Sequence, residues 1–205
     1  MIAMNPPDLN NPKTSALLKI KQTLLDAKDA PLFEYRQANK YWPVIGEGSH
    51  EAKIMFVGEA PGKNEALTGR PFCGTAGKIL DELLAGIGLK REEVYITNIA
   101  KDRPPGNRDP LPEEIAYYGP FLDQQIEILQ PRVIATLGRF SMSYLLNKYF
   151  LPASTISEMH GQVIETQEKY GPVVIVPLYH PAASIYNQKL KETLKADFAV
   201  LKQFS

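Results

Sequence analysis

The residues best equipped for chemistry sit in three short segments, each following an apolar run. GEAPGKNEALTGRPFCGTAG (58–77) joins closely spaced glycines to two carboxylates, Glu59 and Glu65, and an aromatic, Phe72. Small residues there let backbone approach a ligand, and Gly74–Thr75–Ala76–Gly77 opens a helix whose N–H groups suit an anion. The spacing from Gly58 to Gly62 is one residue short of a phosphate-binding G-x4-G-K-[ST] loop, and Lys63 is followed by Asn64. A nucleoside-triphosphatase is thereby excluded. Asn98, closing YITN, offers a donor and an acceptor side by side, which matches either the edge of a nucleobase or a local turn cap. His180, in LYHPAAS, precedes Pro181, which biases it towards extended backbone and so fixes the aim of its ring.

Such side chains need rigid elements to aim them. KIMFVG (53–58), VYITNIA (94–100), RVIATLG (132–138) and the runs GQVIETQ and PVVIVP within 161–177 read as short strands. Apolar residues at helical spacing predict helices over about 75–87 with Gly88 as C-cap, 112–129 with a kink or break at Gly119–Pro120, 139–150 and 188–203. Leu17, Ile20, Leu24 and Leu25 place a further helix over 14–28, capped by Thr14 or Ser15. Residues 29–52 read as irregular, and KDRPPGNRDPLP (101–112) as a stiff loop. Strand, loop and helix in repetition predict an α/β fold: a three-layer α/β/α sandwich around a mostly parallel, four-stranded sheet. Ligands of such sheets sit beyond the carboxyl ends of the strands. That rule selects the loops after Gly58, Thr97, Gly138 and Pro177, which carry the candidate residues above.

Composition bounds the rest. The 205 residues are 44% hydrophobic, 22% charged and 9% aromatic, which excludes a disordered or collagen-like chain. The length predicts one domain over 13–205, after a loose Pro- and Asn-rich arm at 1–12. The single Cys73 can make neither an internal disulfide nor a multi-thiolate metal site. No apolar run spans a bilayer and no export signal stands at the start, so a cytoplasmic protein without membrane contact is expected. Lys plus Arg and Asp plus Glu are each 23, so there is no global basic field. Nucleic acid would have to be met by local cations, backbone N–H groups and helix N-termini. His50 and His160 have no motif around them and read as surface residues.

GEAPG, GRPFCGTAG, YITNIAKDRPPGNRDPLP, an apolar strand ending LG, and HPA, in that order, resemble the uracil-DNA glycosylase superfamily over roughly residues 44–204. The match is to its family 4. That resemblance implies hydrolysis of the bond between uracil and deoxyribose in uracil-containing DNA, after the nucleotide has been flipped out of the duplex. It implies that Phe72 stacks on the base, that Asn98 accepts from uracil N3–H and donates to O4, and that His180 donates to O2 as the base leaves. Gly58 and Ala60 match positions beside the base. Ala60 stands where the best-known branch of the superfamily has an Asp, so Glu59 becomes the first candidate to orient water or stabilise the sugar cation, and Glu65 either the second or a wall of the pocket against the thymine methyl. Arg103, Asn107 and Arg108, with Lys63 and Arg70, are the cations and amide nearest to phosphates. The loop from Ala182 to Tyr186, including Ala183 and Ser184, matches the minor-groove loop, with Ile185 or Tyr186 as its wedge.

The family-4 resemblance also implies an iron–sulfur cluster on four cysteines, and here the chain departs from it. Its Lys-Cys-Arg-Pro-Pro reads Lys101–Asp102–Arg103–Pro104–Pro105, the following ligand reads Tyr118, and no Cys precedes Cys73. The expectation is a monomeric enzyme without metal or cofactor, in which packing by Tyr117, Tyr118, Tyr41 and Trp42 replaces the cross-link and Cys73 merely packs. Protein inhibitors of the enzyme are a further class of partner. The alternative is a catalytically weak or silent binder of uracil-containing or single-stranded DNA. A branch that forms a covalent adduct carries an inserted basic loop, which this chain lacks.

Overall fold

The apolar runs become the interior of a twisted sheet with helices on both faces. A computed structural model describes residues 10–185 and 187–204. In chain order its elements are α1 (Pro12–Asp26), α2 (Phe33–Ala38), β1 (Glu47–Gly48), β2 (Ile54–Gly58), α3 (Lys63–Thr68), α4 (Thr75–Gly86) and β3 (Tyr95–Asn98). They continue as α5 (Pro112–Leu129), β4 (Val133–Leu137), α6 (Arg139–Lys148), α7 (Ile156–Met159), β5 (Ile164–Glu168), β6 (Gly171–Leu178) and α8 (Gln188–Ala199).

The sheet runs β1-β3-β2-β4-β6-β5. Its four inner strands are parallel, as the alternating sequence requires. The sheet has six strands rather than four, because β1 and β5 add antiparallel edges. β5 and β6 are joined by a tight turn at Glu168–Gly171, so this pair is a hairpin and needs no crossover helix. Strand order reverses at β2, between β3 and β4, which opens a crevice at the carboxyl ends of these strands.

Alternation along β2 sorts the two cores. Met55 and Val57 pack with Leu17 and Leu24 of α1 and with Leu122 and Ile126 of α5. Ile54 and Phe56 point the other way, to Leu80 and Leu84 of α4 and Leu194 and Phe198 of α8. Phe56 and Phe198 stack with ring centroids 5.8 Å apart.

Several boundaries differ from expectation for local reasons. Helix α1 begins at Pro12, because the Asn11 side chain accepts from the Lys13 and Thr14 N–H groups; residues 1–9 of the expected arm lie outside the described residues. Thr14, expected as the cap, is buried, and its hydroxyl meets His50 Nδ1 at 2.7 Å. His50 thus ties α1 to the sheet edge. His160 is likewise engaged, with Nδ1 2.9 Å from Asp197 of α8 and its ring on Tyr179. Helix α5 is not broken at Gly119–Pro120; a Cβ at Gly119 would overlap the Tyr144 ring, so the glycine lets α6 come close. The last helix ends at Ala199 and tightens into a 3-10 turn over Val200–Phe204. Among the described residues no helix is long and apolar enough to cross a membrane.

Candidate active site

Gly58 and Asn98 are register partners at the carboxyl ends of β2 and β3. Asn98 is 1% exposed, yet its side-chain Oδ1 has no hydrogen-bond partner in the protein. A buried acceptor left alone forfeits about 1–3 kcal/mol, so the vacancy calls for a reason. A Cβ on Gly58 would overlap both Asn98 Oδ1 and the Phe72 ring; only glycine lets the amide and the aromatic face one space.

Phe72 reaches that space by a strained turn, with φ +47° in the left-handed region. The bend has its own supports. Glu65 Oε1 accepts from the Cys73 and Gly74 N–H groups, both at 2.9 Å, at the start of α4. Arg91 donates to the Pro71 carbonyl and pairs with Glu47, which also holds Arg70. His180 lies beside Phe72, its ring centroid 5.7 Å from that of Phe72 and tilted by 30°. The Ala182 N–H donates to His180 Nδ1 at 3.2 Å. A backbone N–H can only donate, so Nδ1 is the acceptor and the imidazole proton sits on Nε2. Burial pulls the His180 pKa below its ordinary value, which keeps the ring neutral at pH 7. Three loops therefore deliver an open amide, an aromatic face and a neutral N–H donor to one crevice.

The two candidate carboxylates divide. Burial, reinforced by Asp109 and opposed by Arg139, pushes the Glu59 carboxyl up to about 7. Glu59 follows β2 directly and keeps its backbone on the sheet, its carbonyl accepting from Ala100 at 3.0 Å. Glu65 departs from expectation, because its carboxylate holds the backbone of the Phe72 turn and is a loop-building group. Ala60 is half-buried and packs on the core shared by α1 and α5. Cys73 lies half-exposed with Sγ 3.4 Å from Thr68 Oγ1.

The Pro-rich loop also departs from expectation. Arg103 donates to Asn107 Oδ1 and to the Tyr35 and Tyr41 hydroxyls. Arg108 forms a two-bond pair with Glu114 in the first turn of α5. These cations and Asn107 build the loop, and Arg70 is engaged by Glu47. Lys63 is exposed at the first position of α3. After His180, the 3-10 turn Pro181–Ser184 turns Ser184 inward, its hydroxyl donating to the Pro181 carbonyl, so Ser184, expected among the DNA contacts, is buried. Ala183 is exposed and Ile185 is a 39% exposed apolar side chain; Tyr186 lies outside the described residues.

The family model for the uracil DNA glycosylase superfamily matches residues 45–202. The chain belongs to this superfamily. It is 42% identical to a Type-4 uracil-DNA glycosylase of Sulfurisphaera tokodaii over 93% of this chain and 85% of the relative. Identity to the Type-4 uracil-DNA glycosylase of Archaeoglobus fulgidus is 49%, covering 76% and 78%. For the Type-4 enzyme of Thermotoga maritima it is 41%, covering 78% and 82%.

The iron–sulfur cluster that family 4 implies does not fit the side chains at its place. Asp102 and Tyr118, at two of the ligand positions, are bonded to each other at 2.8 Å, and Arg36 of α2 donates to both Asp102 oxygens at 3.0 and 3.2 Å. All three are buried. An Arg–Asp–Tyr triad fills the site, and its cation excludes a second one. Tyr117 lies edge-on to Tyr118 and Tyr41 joins through Arg103, but Trp42 is 54% exposed and takes no part. Among the described residues no group of three or more His, Cys, Asp or Glu is placed to hold a metal ion. Arg36 was hidden in a segment that reads as irregular. Lys101 was hidden too: it is fully buried beside Asn98, and burial pulls its pKa down to about 7. Its only signal was a lysine directly after the apolar run that ends β3.

Proposed function

We propose that this chain is a uracil-DNA glycosylase that releases uracil from DNA by hydrolysis and leaves an abasic site, acting as a cytoplasmic monomer with residues 13–205 as its single domain. The observation that carries the reading is the buried, unpartnered Asn98 Oδ1 beside Phe72 and a neutral His180. A flipped uracil stacked on Phe72 donates N3–H to that oxygen and accepts at O4 from the Asn98 amide. Cytosine offers no N3–H and carries donors at the 4-position, so the same amide would face an unpaired acceptor and a donor clash. Where a site is built to pair polar groups, such mismatches discriminate by about 10⁴ or more.

As the bond from C1′ to N1 breaks, its electron pair goes to the base. The His180 Nε2–H stabilises the charge growing on O2, an oxyanion-type contribution of about 3–4 kcal/mol. Water adds at C1′ and its proton is released, so that uracil leaves neutral after reprotonation. Ionised Glu59 orients that water or stabilises the cationic sugar. Exposed Ile185 suits the wedge that fills the gap in the stack, and Ala183 and Lys63 suit backbone contact.

An end-labelled oligonucleotide with one uracil tests the reading. Alkali-dependent cleavage at uracil, absent with cytosine or thymine at the same position, is the expected result. Retention of the strand without cleavage would identify a silent binder, and a gel-stable complex a covalent one; either outcome overturns the proposal.

A further inference from the structure

The Asn98 amide must be held in place, yet the strand that carries it ends there. The Ile99 N–H donates to the Gly58 carbonyl at 3.1 Å. The pleat then turns the carbonyl of Asn98 to the opposite edge of β3, where β1 pairs only with Tyr95 and Ile96. No ladder N–H reaches it. Instead it accepts from Lys101 Nζ at 2.6 Å. The same Nζ lies 2.9 Å from Thr97 Oγ1 and 2.5 Å from Gln125 Oε1. In its protonated form it has three donors for these three acceptors, none of them a carboxylate. The two side-chain acceptors are themselves anchored: the Thr97 hydroxyl donates to the Ile45 carbonyl at 2.6 Å, and Gln125 Nε2 to the same carbonyl at 2.8 Å. The Lys101 carbonyl accepts from the Val44 N–H at 2.7 Å, which closes the frame.

A fully buried lysine without a counter-ion is a costly way to end a strand, and a methionine would pack there at similar length. The neighbouring ion pair does not explain it, since Asp102 is engaged by Arg36 and Tyr118 on α2 and α5.

We propose that Lys101 is the positioning residue for base reading: by taking the role of the missing strand partner at the Asn98 carbonyl, it fixes the peptide that aims the Asn98 amide at the base. Lys101 touches neither base nor sugar and acts through Asn98 alone. This rests on the glycosylase reading above.

The test is a cycle of four proteins, parent, Lys101→Met, Asn98→Ala and the double variant, assayed for uracil excision under single-turnover conditions and for KM. Lys101→Met is expected to slow excision by about tenfold or more with KM changed less than about threefold, and to add nothing in the Asn98→Ala background, as coupled neighbours do. A merely structural lysine would lower the rate equally in both backgrounds, and that result overturns the proposal, as does an unchanged rate in Lys101→Met. If Lys101→Met does not fold, the cycle is run with Lys101→Gln, which keeps a donor; a smaller loss with the same dependence on Asn98 is expected, and an equal loss in both backgrounds overturns the proposal. A parent protein that does not excise uracil fails the glycosylase reading itself, a distinct outcome.

Discussion

Two places reached from the end of β3 are built on opposite terms. At the base crevice, the Asn98 oxygen is buried without a partner, Phe72 is held at φ +47°, and Glu59 is kept from ionising fully at pH 7. A few residues on, at the junction of α2 and α5, Arg36, Asp102 and Tyr118 are equally buried, yet bonded to one another. The first place leaves a buried acceptor open, which the proposed uracil would fill. The second closes every bond and leaves a ligand, metal included, nothing to take. Burial alone therefore does not distinguish the two places; what their buried polar groups are bonded to does.

Breaking the closed place should chiefly unfold the protein. Asp102→Ala leaves the Arg36 guanidinium buried and unpaired, and is expected to lose about 3–5 kcal/mol of stability in denaturant melts. The activity of the molecules still folded should change little. Iron and sulfide offered to the parent should give no stoichiometric visible chromophore.

Breaking the open place should do the reverse. His180→Ala is expected to lower the single-turnover rate by about 10²–10³. Its melting temperature should stay near that of the parent, because the imidazole makes one bond within its own turn.

The half-ionised Glu59 sharpens the contrast through pH. Its carboxyl titrates at about 7 and the ionised form is the useful one, so the rate should rise with pH, roughly tenfold between pH 6 and pH 8 for one such group. The slope should disappear in Glu59→Gln. The smallest effect belongs to the Arg108–Glu114 pair, whose arginine is 37% exposed and whose buried carboxylate keeps the Leu111 N–H: Arg108→Ala should cost about 1–3 kcal/mol of stability and leave the rate near that of the parent.

Much of this was legible in the sequence because it follows from local rules. The runs at 54–58, 95–98 and 133–137 are rich in apolar residues and buried throughout, as strands covered on both faces are, and they place Glu59, Asn98 and the loops around them. His180 was legible through Pro181. What escaped notice was settled by partners far along the chain. Glu65 reads as the second candidate to orient water or stabilise the sugar cation, and only the N–H groups of residues 73 and 74 folding back onto it show that it also builds the Phe72 turn. Arg103 and Arg108 read as phosphate ligands until Tyr35, Tyr41 and Glu114 engage them. Nothing local distinguishes Arg36 from a solvated helix residue; its carboxylate partner is 66 residues away. GQVIETQ reads as a strand and becomes β5, but neither β5 nor β1, which lies in a segment that reads as irregular, shows the fully buried pattern of the inner strands that would enlarge the expected four-stranded sheet to six.

A crystal structure of the protein with free uracil bears most directly on the crevice. The expected result is the base lying on Phe72, its N3–H on Asn98 Oδ1 and its O2 within hydrogen-bond reach of His180 Nε2. Uracil found elsewhere, or an Asn98 oxygen still unpartnered with uracil bound, would contradict it.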